Sequence, residues 1–194
     1  MRELLCLSLR KQSSPSTIAT MKQHSEVLPT HVIDQAMVMA CNLATYSRDP
    51  SSQTGAVIVS LAGEVIGTGY NDLSTGIDDI PENWQRPRKY KLVEHAERSA
   101  LYQAARLGRQ TLGAVMVSPW IGCTDCDRGV VAAGVQEIVR IPINFGTDHW
   151  SEDIALGDDI MRAAGVKIIE LPFEHLTLPA LRRNGVLVDP RAHI

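Results

Sequence analysis

Short runs of β-branched and other apolar residues alternate along this chain with longer segments whose apolar residues recur at helical spacing. The order is one helix, two consecutive strands, and then three repeats of a helix followed by a strand. Two consecutive strands can form an antiparallel hairpin, whereas strands joined through a helix pair in parallel. The alternation therefore predicts an α/β domain with a mixed sheet and helices on both of its faces.

The boundaries of these elements are predicted from capping residues, prolines and glycines. Thr30 is expected to cap the first helix, which Asp49-Pro50 ends, and Gly134 and Gly165 are expected to end the last two helices. Residues 71–91 are rich in Asp, Pro and Gly and are predicted to form one long loop, which is usually functional. The later helices are predicted at residues 95–107, 125–133 and 149–164, and the strands at 56–60, 64–70, 114–118, 137–141 and 166–171.

The length of 194 residues suits a single domain with extensions at its ends. We expect a flexible N-terminal extension over residues 1–28, one domain over residues 29–173, and a C-terminal tail over residues 174–194. A helical turn is expected within that tail, at residues 178–183. The N-terminal stretch MRELLCLSLRKQ is short and carries two charged residues near its start, so it is not predicted to be a secretory signal.

The charge balance and the hydropathy argue against two classes of partner. The formal net charge is -3 and the sequence pI is about 6.1, which does not favour binding to long duplex nucleic acid. No run approaches the ~20 apolar residues that a membrane span needs. The basic stretch at residues 86–91 is short and can form a solvated loop or contact a phosphate. We therefore expect a cytoplasmic protein with a small-molecule partner and no membrane partner.

Two short motifs carry residue types that bind metals. His95-Ala96-Glu97 stands at the start of one predicted helix, and Cys123-Thr124-Asp125-Cys126 stands at the start of the next. Zinc prefers imidazole and thiolate ligands in a tetrahedral set, and three protein ligands leave the fourth position for water, as in catalytic sites. His95, Cys123 and Cys126 are therefore the predicted zinc ligands. Glu97 could move protons to and from that water without binding the metal.

Each of these residues also has a simpler interpretation. A lone histidine at a helix start is often a cap, a lone C-x-x-C can be a redox pair or half of a structural zinc site, and Glu97 alone would be a solvated charge. The joint pattern is harder to explain in these ways. A redox motif has no need of His-x-Glu, and a closed four-cysteine site needs a second cysteine pair, whereas Cys6 and Cys41 are isolated.

Five stretches of the sequence carry a family resemblance, which covers residues 36–173. They are SRDPSSQTGAVIV (residues 47–59), GTGYND (67–72), VEHAERSAL (93–101), CTDC (123–126) and AAGVQEIV (132–139). H-x-E followed by C-x-x-C is the signature of zinc nucleobase deaminases. The chain resembles the zinc-dependent cytidine and deoxycytidylate deaminases, and among them it is most similar to the deoxycytidylate deaminases. The resemblance implies a three-layer α-β-α fold around a five-stranded mixed sheet.

The resemblance also implies a substrate site. Asn71 matches the asparagine that hydrogen-bonds the sugar hydroxyl, and Ala96 matches the backbone position that contacts the pyrimidine edge. Arg48 and Ser52 match the loop on the phosphate side, where an arginine would supply a bidentate fork. Arg48 could equally be an arginine that interacts with the C-terminus of its own helix. Because members of the superfamily commonly assemble, a homo-oligomer is expected.

Departures from the family pattern leave the substrate open. In the family a proline directly precedes the first cysteine, whereas here Trp120, Ile121 and Gly122 separate Pro119 from Cys123. Trp120 could stack on a substrate or pack in the core. The family's effector-binding stretch G-Y-N-G-x-P-x-G is GYNDLSTG here, which argues against regulation by a nucleotide triphosphate. No further His or Cys lies in the long loop, so a second zinc is not expected.

The predicted function is zinc-dependent hydrolytic deamination of a cytosine nucleotide, with dCMP to dUMP and release of ammonia as the first choice. Two alternatives stay open. One is deamination of another amino-heterocycle, such as a modified pyrimidine, a purine nucleotide or a pterin. The other is a non-catalytic, zinc-stabilised protein that binds nucleotides. Nucleic-acid editing is weaker still, because it needs an aromatic and basic surface and aromatics are only 5% of the chain.

Overall fold

The centre of the protein is a five-stranded mixed sheet. The computed structural model describes residues 24–120, 122–142 and 150–192. Its elements are α1 (Thr30–Ala44), β1 (Gly55–Val59), β2 (Val65–Tyr70), β3 (Asp72–Leu73), a 3₁₀ helix (Pro81–Trp84), α2 (Lys89–Leu92), β4 (Val93–Glu94), α3 (Ala96–Arg106), β5 (Val115–Ser118), α4 (Thr124–Ala132), β6 (Glu137–Arg140), α5 (Ser151–Ala163), β7 (Lys167–Glu170), β8 (Leu181–Arg183) and β9 (Val186–Val188). The sheet order is β2-β1-β5-β6-β7, antiparallel from β2 to β5 and parallel from β5 to β7.

Helices cover both faces of this sheet, which confirms the predicted three-layer fold. Side chains of a strand alternate between faces. Val57 and Val59 of β1 therefore pack in one core with α1, whereas Ala56 and Ile58 pack in a second core with residues of α3, α4 and α5. All five residues of β1 are buried, as expected for a central strand.

Two glycines of β2 allow α3 to lie directly against the sheet. A Cβ on Gly67 would come within 2.6 Å of the carbonyl oxygen of Ala100, and one on Gly69 within 2.4 Å of that of Ala96. Only glycine fits at such a close approach of backbones. The G-T-G-Y stretch therefore fixes the position of the N-terminus of α3, where His95 and Glu97 lie.

Several local predictions were wrong or incomplete. Thr30 is the first residue of α1 rather than its cap, because Pro29 occupies the N-cap position and no side chain caps the helix. The predicted long loop contains the 3₁₀ helix, α2 and the strand β3, which pairs with β4. The predicted helical turn at residues 178–183 is instead the start of the β8–β9 hairpin. Its two-residue turn holds Asn184 at φ 51° and Gly185 at φ 82°, the left-handed conformations that a type I′ turn requires.

Both predicted extensions have described parts that contact the domain. Leu28 is buried, and Ser25 donates a hydrogen bond to the buried Glu137. In the predicted tail, Leu181 packs in the core beside α1. Phe173, the last residue before the tail, packs in the same core. Residues 1–23 lie outside the described part of the chain, so the boundaries of the N-terminal extension, the domain and the tail stay a prediction. Within the described ranges, no helix combines the length and apolar character that a membrane crossing demands.

Candidate active site

Three metal-binding side chains meet where α3 and α4 begin. His95 and Cys123 occupy the N-cap positions of these two helices, and Cys126 lies in the first turn of α4. The Nδ1 atom of His95 lies 3.5 Å from the Sγ of Cys123 and 3.4 Å from that of Cys126, and the two sulfurs are 3.7 Å apart. The structure thus brings together the three predicted ligands, as one compact group.

These separations fit a tetrahedral zinc ion. With Zn–S near 2.3 Å and Zn–N near 2.0–2.1 Å, tetrahedral angles place two sulfurs about 3.8 Å apart and a sulfur and a nitrogen about 3.6 Å apart. The observed distances of 3.7, 3.5 and 3.4 Å agree with both values to within about 0.2 Å. Three ligands also leave one side of the group open toward the pocket that His95 and Cys123 line.

The thiols interact strongly with one another and with the histidine. A hydrogen bond from Cys126, together with bonding and charge from His95, lowers the pKa of Cys123 to about 3, although burial opposes this. The same bond to Cys123, with burial, raises the pKa of Cys126. These contacts favour the thiolate form of Cys123, and a metal cation is the group that would hold both sulfurs deprotonated.

Glu97 lies beside this group in the first turn of α3. The side chain is buried, and its Oε2 atom has no hydrogen-bond partner within the described ranges. Burial raises the pKa of Glu97, although the neighbouring His95 opposes this. A buried carboxyl group with a raised pKa and an unpartnered oxygen is suited to accept and return a proton.

One cavity of about 180 Å³ opens onto these residues. Of the residues predicted from sequence, His95, Glu97, Cys123, Asn71, Ser52 and Trp120 line it. Cys126 and Ala96 are fully buried and do not line it. Glu97 thus lines the same cavity as two metal ligands and three predicted substrate residues.

Asn71 and Trp120 have structural contacts as well as a place in the cavity wall. The amide of Asn71 accepts a hydrogen bond from the Thr54 N–H at 2.8 Å and donates one to the carbonyl oxygen of Ser52 at 2.8 Å. Trp120 is only 8% exposed, and its indole N–H donates to the carbonyl oxygen of Pro190 at 3.1 Å. Trp120 therefore packs in the core, as one of the two interpretations predicted, and it also lines the cavity. Stacking of Trp120 on a substrate stays a prediction.

Arg48 does not reach this cavity. Its guanidinium contacts Asp72 at 3.0 Å and Asp79 at 3.4 Å, and it borders a separate surface hollow beside β2 and β3. The hydrogen bond to Asp72 raises the pKa of Arg48. The prediction that Arg48 contacts the phosphate side of a substrate has no support in this arrangement, because two carboxylates already bind the side chain outside the cavity.

Sequence reasoning missed part of the cavity wall. Arg86, Lys89 and Tyr90 come from the basic stretch, whose position was left open, and Arg183 and Asn184 come from the β8–β9 hairpin. The sequence itself contains an indication of this hairpin. Asn184-Gly185 between two apolar runs is a strong short-range indication of a hairpin with a two-residue turn.

Comparison with known proteins identifies the family. Residues 30–141 match the family model described as the cytidine and deoxycytidylate deaminase zinc-binding region, which is more than half of the chain. The protein belongs to this family. Membership makes it a deaminase enzyme with zinc as its cofactor.

Curated relatives within this deaminase family include deoxycytidylate deaminases from mammals. The deaminase is 30% identical over 136 residues to that of Mus musculus and 32% identical over 136 residues to that of Pongo abelii. Each alignment covers 67% of this chain and 74% of the relative. The crystal structure of a dCMP deaminase from the cyanophage S-TIM5, in complex with dCMP and dUMP, has the same fold, with a TM-score of 0.61 and 21% identity over 74% of this chain and 99% of that one.

Proposed function

We propose that this deaminase hydrolyses the 4-amino group of a cytosine nucleotide, with dCMP converted to dUMP and ammonia. The observation that carries this proposal is the position of Glu97, buried beside the His95–Cys123–Cys126 group in one cavity. The curated relatives, which are named as deoxycytidylate deaminases, support the choice of nucleotide.

In this proposal the ligands and the acid have separate tasks. His95, Cys123 and Cys126 would hold the zinc, which when bound would lower the pKa of a water to about 7. Glu97 accepts a proton from the attacking water and delivers it to N3 of the ring. It then transfers the second proton to the departing amine, so that one water is consumed and one ammonia is released.

The remaining predicted residues have proposed binding roles. Asn71 is held at the end of β2 by Thr54 and Ser52, so its amide is fixed in the cavity wall where a sugar hydroxyl could share its hydrogen bonds. Ser52 lines the same wall. The proposal that the backbone at Ala96 contacts the base, and the expectation of a homo-oligomer, rest on the family resemblance.

The test of the catalytic role is Glu97→Gln. The amide keeps the size of the side chain but cannot accept the proton, so turnover should fall about 10²–10⁴-fold. Ammonia release from dCMP gives the rate, and the metal content measured on the same sample should stay at the wild-type level. In contrast, Cys123→Ser should lose both zinc and activity. A Glu97→Gln enzyme with wild-type turnover would contradict the role of Glu97.

A second candidate is deamination of a different amino-heterocycle. Gly122 touches the site, because a Cβ there would lie 2.9 Å from Oε1 of Glu97 and 2.7 Å from the Cβ of Cys126. The residue that precedes the first cysteine thus shapes the space beside Glu97. A panel of dCMP, CMP, cytidine and adenine or guanine nucleotides, assayed with the zinc-loaded enzyme, discriminates the candidates. If no cytosine compound released ammonia, deamination of a cytosine nucleotide would be excluded.

A further inference from the structure

The β8–β9 hairpin forms part of the cavity wall although it lies outside residues 30–141 of the family match. Arg183, the last residue of β8, and Asn184, the first residue of the turn, both line the cavity. The hairpin therefore places a cationic side chain at a site whose metal ligands come from distant parts of the chain.

Several contacts hold the hairpin against the loop that follows α1. The backbone N–H of Gln53 donates to the carbonyl oxygen of Arg182 at 2.8 Å, and the side chain of Gln53 accepts from the Arg182 N–H at 3.0 Å. The N–H of Gly185 donates to the carbonyl oxygen of Ser51 at 2.8 Å. Leu181 is fully buried. Since backbone bonds and a core side chain fix both ends of β8 and its turn, the position of Arg183 is set by the fold.

Trp120 orients the Arg183 side chain. The guanidinium carbon lies 5.6 Å from the centre of the indole ring, within the range of a cation–π interaction. The indole is itself fixed by its hydrogen bond to Pro190. This stacking is compatible with hydrogen bonds made by the edge of the guanidinium, because a stacked arginine donates in its own plane.

A second arginine, Arg86, lies in the wall of the same cavity. It donates to the Ser51 hydroxyl at 3.3 Å and lies 5.8 Å from the ring centre of Tyr90. Ser51 is also the residue that binds the hairpin turn through Gly185. Arg86 and the hairpin that carries Arg183 therefore meet around a single residue of the cavity wall.

Basic side chains outnumber acidic ones among the described residues of the cavity wall. Among the described residues that line the cavity, the acids are Asp49 and Glu97. Asp49 is bound to Lys89 at 2.7 Å in a buried ion pair, and Glu97 lies at the metal end. The described lining residues thus include three basic side chains, Arg86, Lys89 and Arg183, against these two acids, and this excess favours an anionic group of the ligand.

We propose that Arg183 and Arg86 bind the 5′-phosphate of the substrate, so that the hairpin makes the enzyme selective for a nucleoside monophosphate over the nucleoside. This inference rests on the proposed nucleotide deamination. Arginine is suited to the role because its planar fork donates two parallel hydrogen bonds to phosphate oxygens. The contact supplies binding rather than chemistry, so its loss should act mainly on KM.

The test compares dCMP with deoxycytidine, which differ only in the phosphate. In Arg183→Gln and in Arg86→Gln, kcat/KM for dCMP should fall at least about tenfold, mainly through KM, with deoxycytidine unchanged within about twofold. Arg183→Lys should recover part of the loss because it keeps the charge. The matched control is Arg109→Gln, which removes an exposed arginine that binds the carbonyl oxygen of Val65 at the opposite end of β2.

Other outcomes overturn the inference. An equal fall for both substrates would show a structural role only, and no fall for dCMP would exclude phosphate binding. Titration of the zinc-loaded protein with dUMP and deoxyuridine adds a readout that needs no turnover. We expect dUMP to bind more tightly than deoxyuridine and Arg183→Gln to remove this difference. That result would support phosphate binding by Arg183 even if the enzyme did not deaminate dCMP. If wild type binds both equally, the inference fails while deamination can still hold.

Discussion

The metal end and the outer wall of the cavity are built in different ways. At the metal end, His95, Glu97, Cys123 and Cys126 come from two short motifs at the N-termini of α3 and α4. At the outer wall, Arg86 and Arg183 come from a loop and from a hairpin that lie far apart in the chain. In the first set Glu97 and Cys126 are buried and His95 and Cys123 are half-buried. In the second set Arg183 is half-buried and Arg86 is exposed.

In the proposed function, this difference separates the residues that carry out the reaction from the residues that select the substrate. Helices packed against a sheet hold the metal end, and the glycines of β2 leave little freedom there. The outer wall is held by a few backbone bonds and one buried side chain, so it can change without altering the chemistry. Changes at the metal end should therefore affect kcat, and changes at the outer wall should affect KM for nucleotides.

Removal of zinc should have the largest effect. Chelation should abolish turnover and lower the melting temperature, because metal binding stabilises the folded state and the two sulfurs then lose their shared cation. Added zinc should restore both properties. Without chelator, the Arg183→Gln enzyme should carry the same zinc content as wild type. Zinc loss from that variant would contradict the separation of the two regions.

Gly122→Ala should lower kcat about 10²-fold, because the new Cβ would come within 2.7 Å of the Cys126 Cβ and 2.9 Å of Oε1 of Glu97. The matched control is Gly129→Ala on α4, where the nearest atom outside the helix backbone is 3.6 Å away. That change should leave kcat unaltered and stabilise the helix by about 0.5–1 kcal/mol. Kinetics and thermal melting of both variants test the prediction, which equal activities would contradict.

Leu181→Ala should weaken the attachment of the hairpin. Leu181 is fully buried, and such truncations cost about 2–5 kcal/mol in a core. We expect a higher KM for dCMP, a lower melting temperature and an unchanged zinc content. Leu187→Ala is the control, because that side chain is 59% exposed on β9 and should change stability by less than about 0.5 kcal/mol. Similar losses in both variants would show that the hairpin does not depend on Leu181.

Asp127→Asn should have the smallest effect on activity, because we expect it to change only the pH dependence of stability. Asp127 is 1% exposed, and neither carboxyl oxygen has a hydrogen-bond partner among the described residues. Burial and the neighbouring Glu97 raise its pKa from 3.8 to about 8. Because the pKa is raised, the contribution of Asp127 to stability is most favourable below about pH 4 and falls as the pH rises toward about 8, by at most about 1.4 kcal/mol per pH unit.

The asparagine variant should lack that fall. After zinc removal, which takes away a cation that would itself lower the pKa of this carboxyl, the melting temperature of Asp127→Asn relative to wild type should increase between pH 5 and pH 8. A constant difference between the two proteins over this range would contradict the raised pKa.

Much of the fold and of the metal end could be predicted from sequence. Strand and helix periodicities gave the sheet and its helices because side chains that repeat at 2 or 3.6 residues must share one face. The two motifs indicated the zinc ligands because residues three apart at a helix start necessarily lie close together, as Cys123 and Cys126 do. The hairpin at Asn184-Gly185 had a local signal as well, although the tail was predicted to contain a helical turn.

The outer wall could not be predicted in this way. Nothing local to Arg48 indicates that Asp72 and Asp79 bind it outside the cavity, and nothing local to Arg183 indicates that it stacks on Trp120. Contacts between residues distant in the chain depend on how the layers pack and where a terminal segment docks. The sequence by itself determined the α/β fold and the zinc chemistry, which follow from short-range spacing. Only the tertiary structure decided which arginines line the cavity, because that depends on long-range packing.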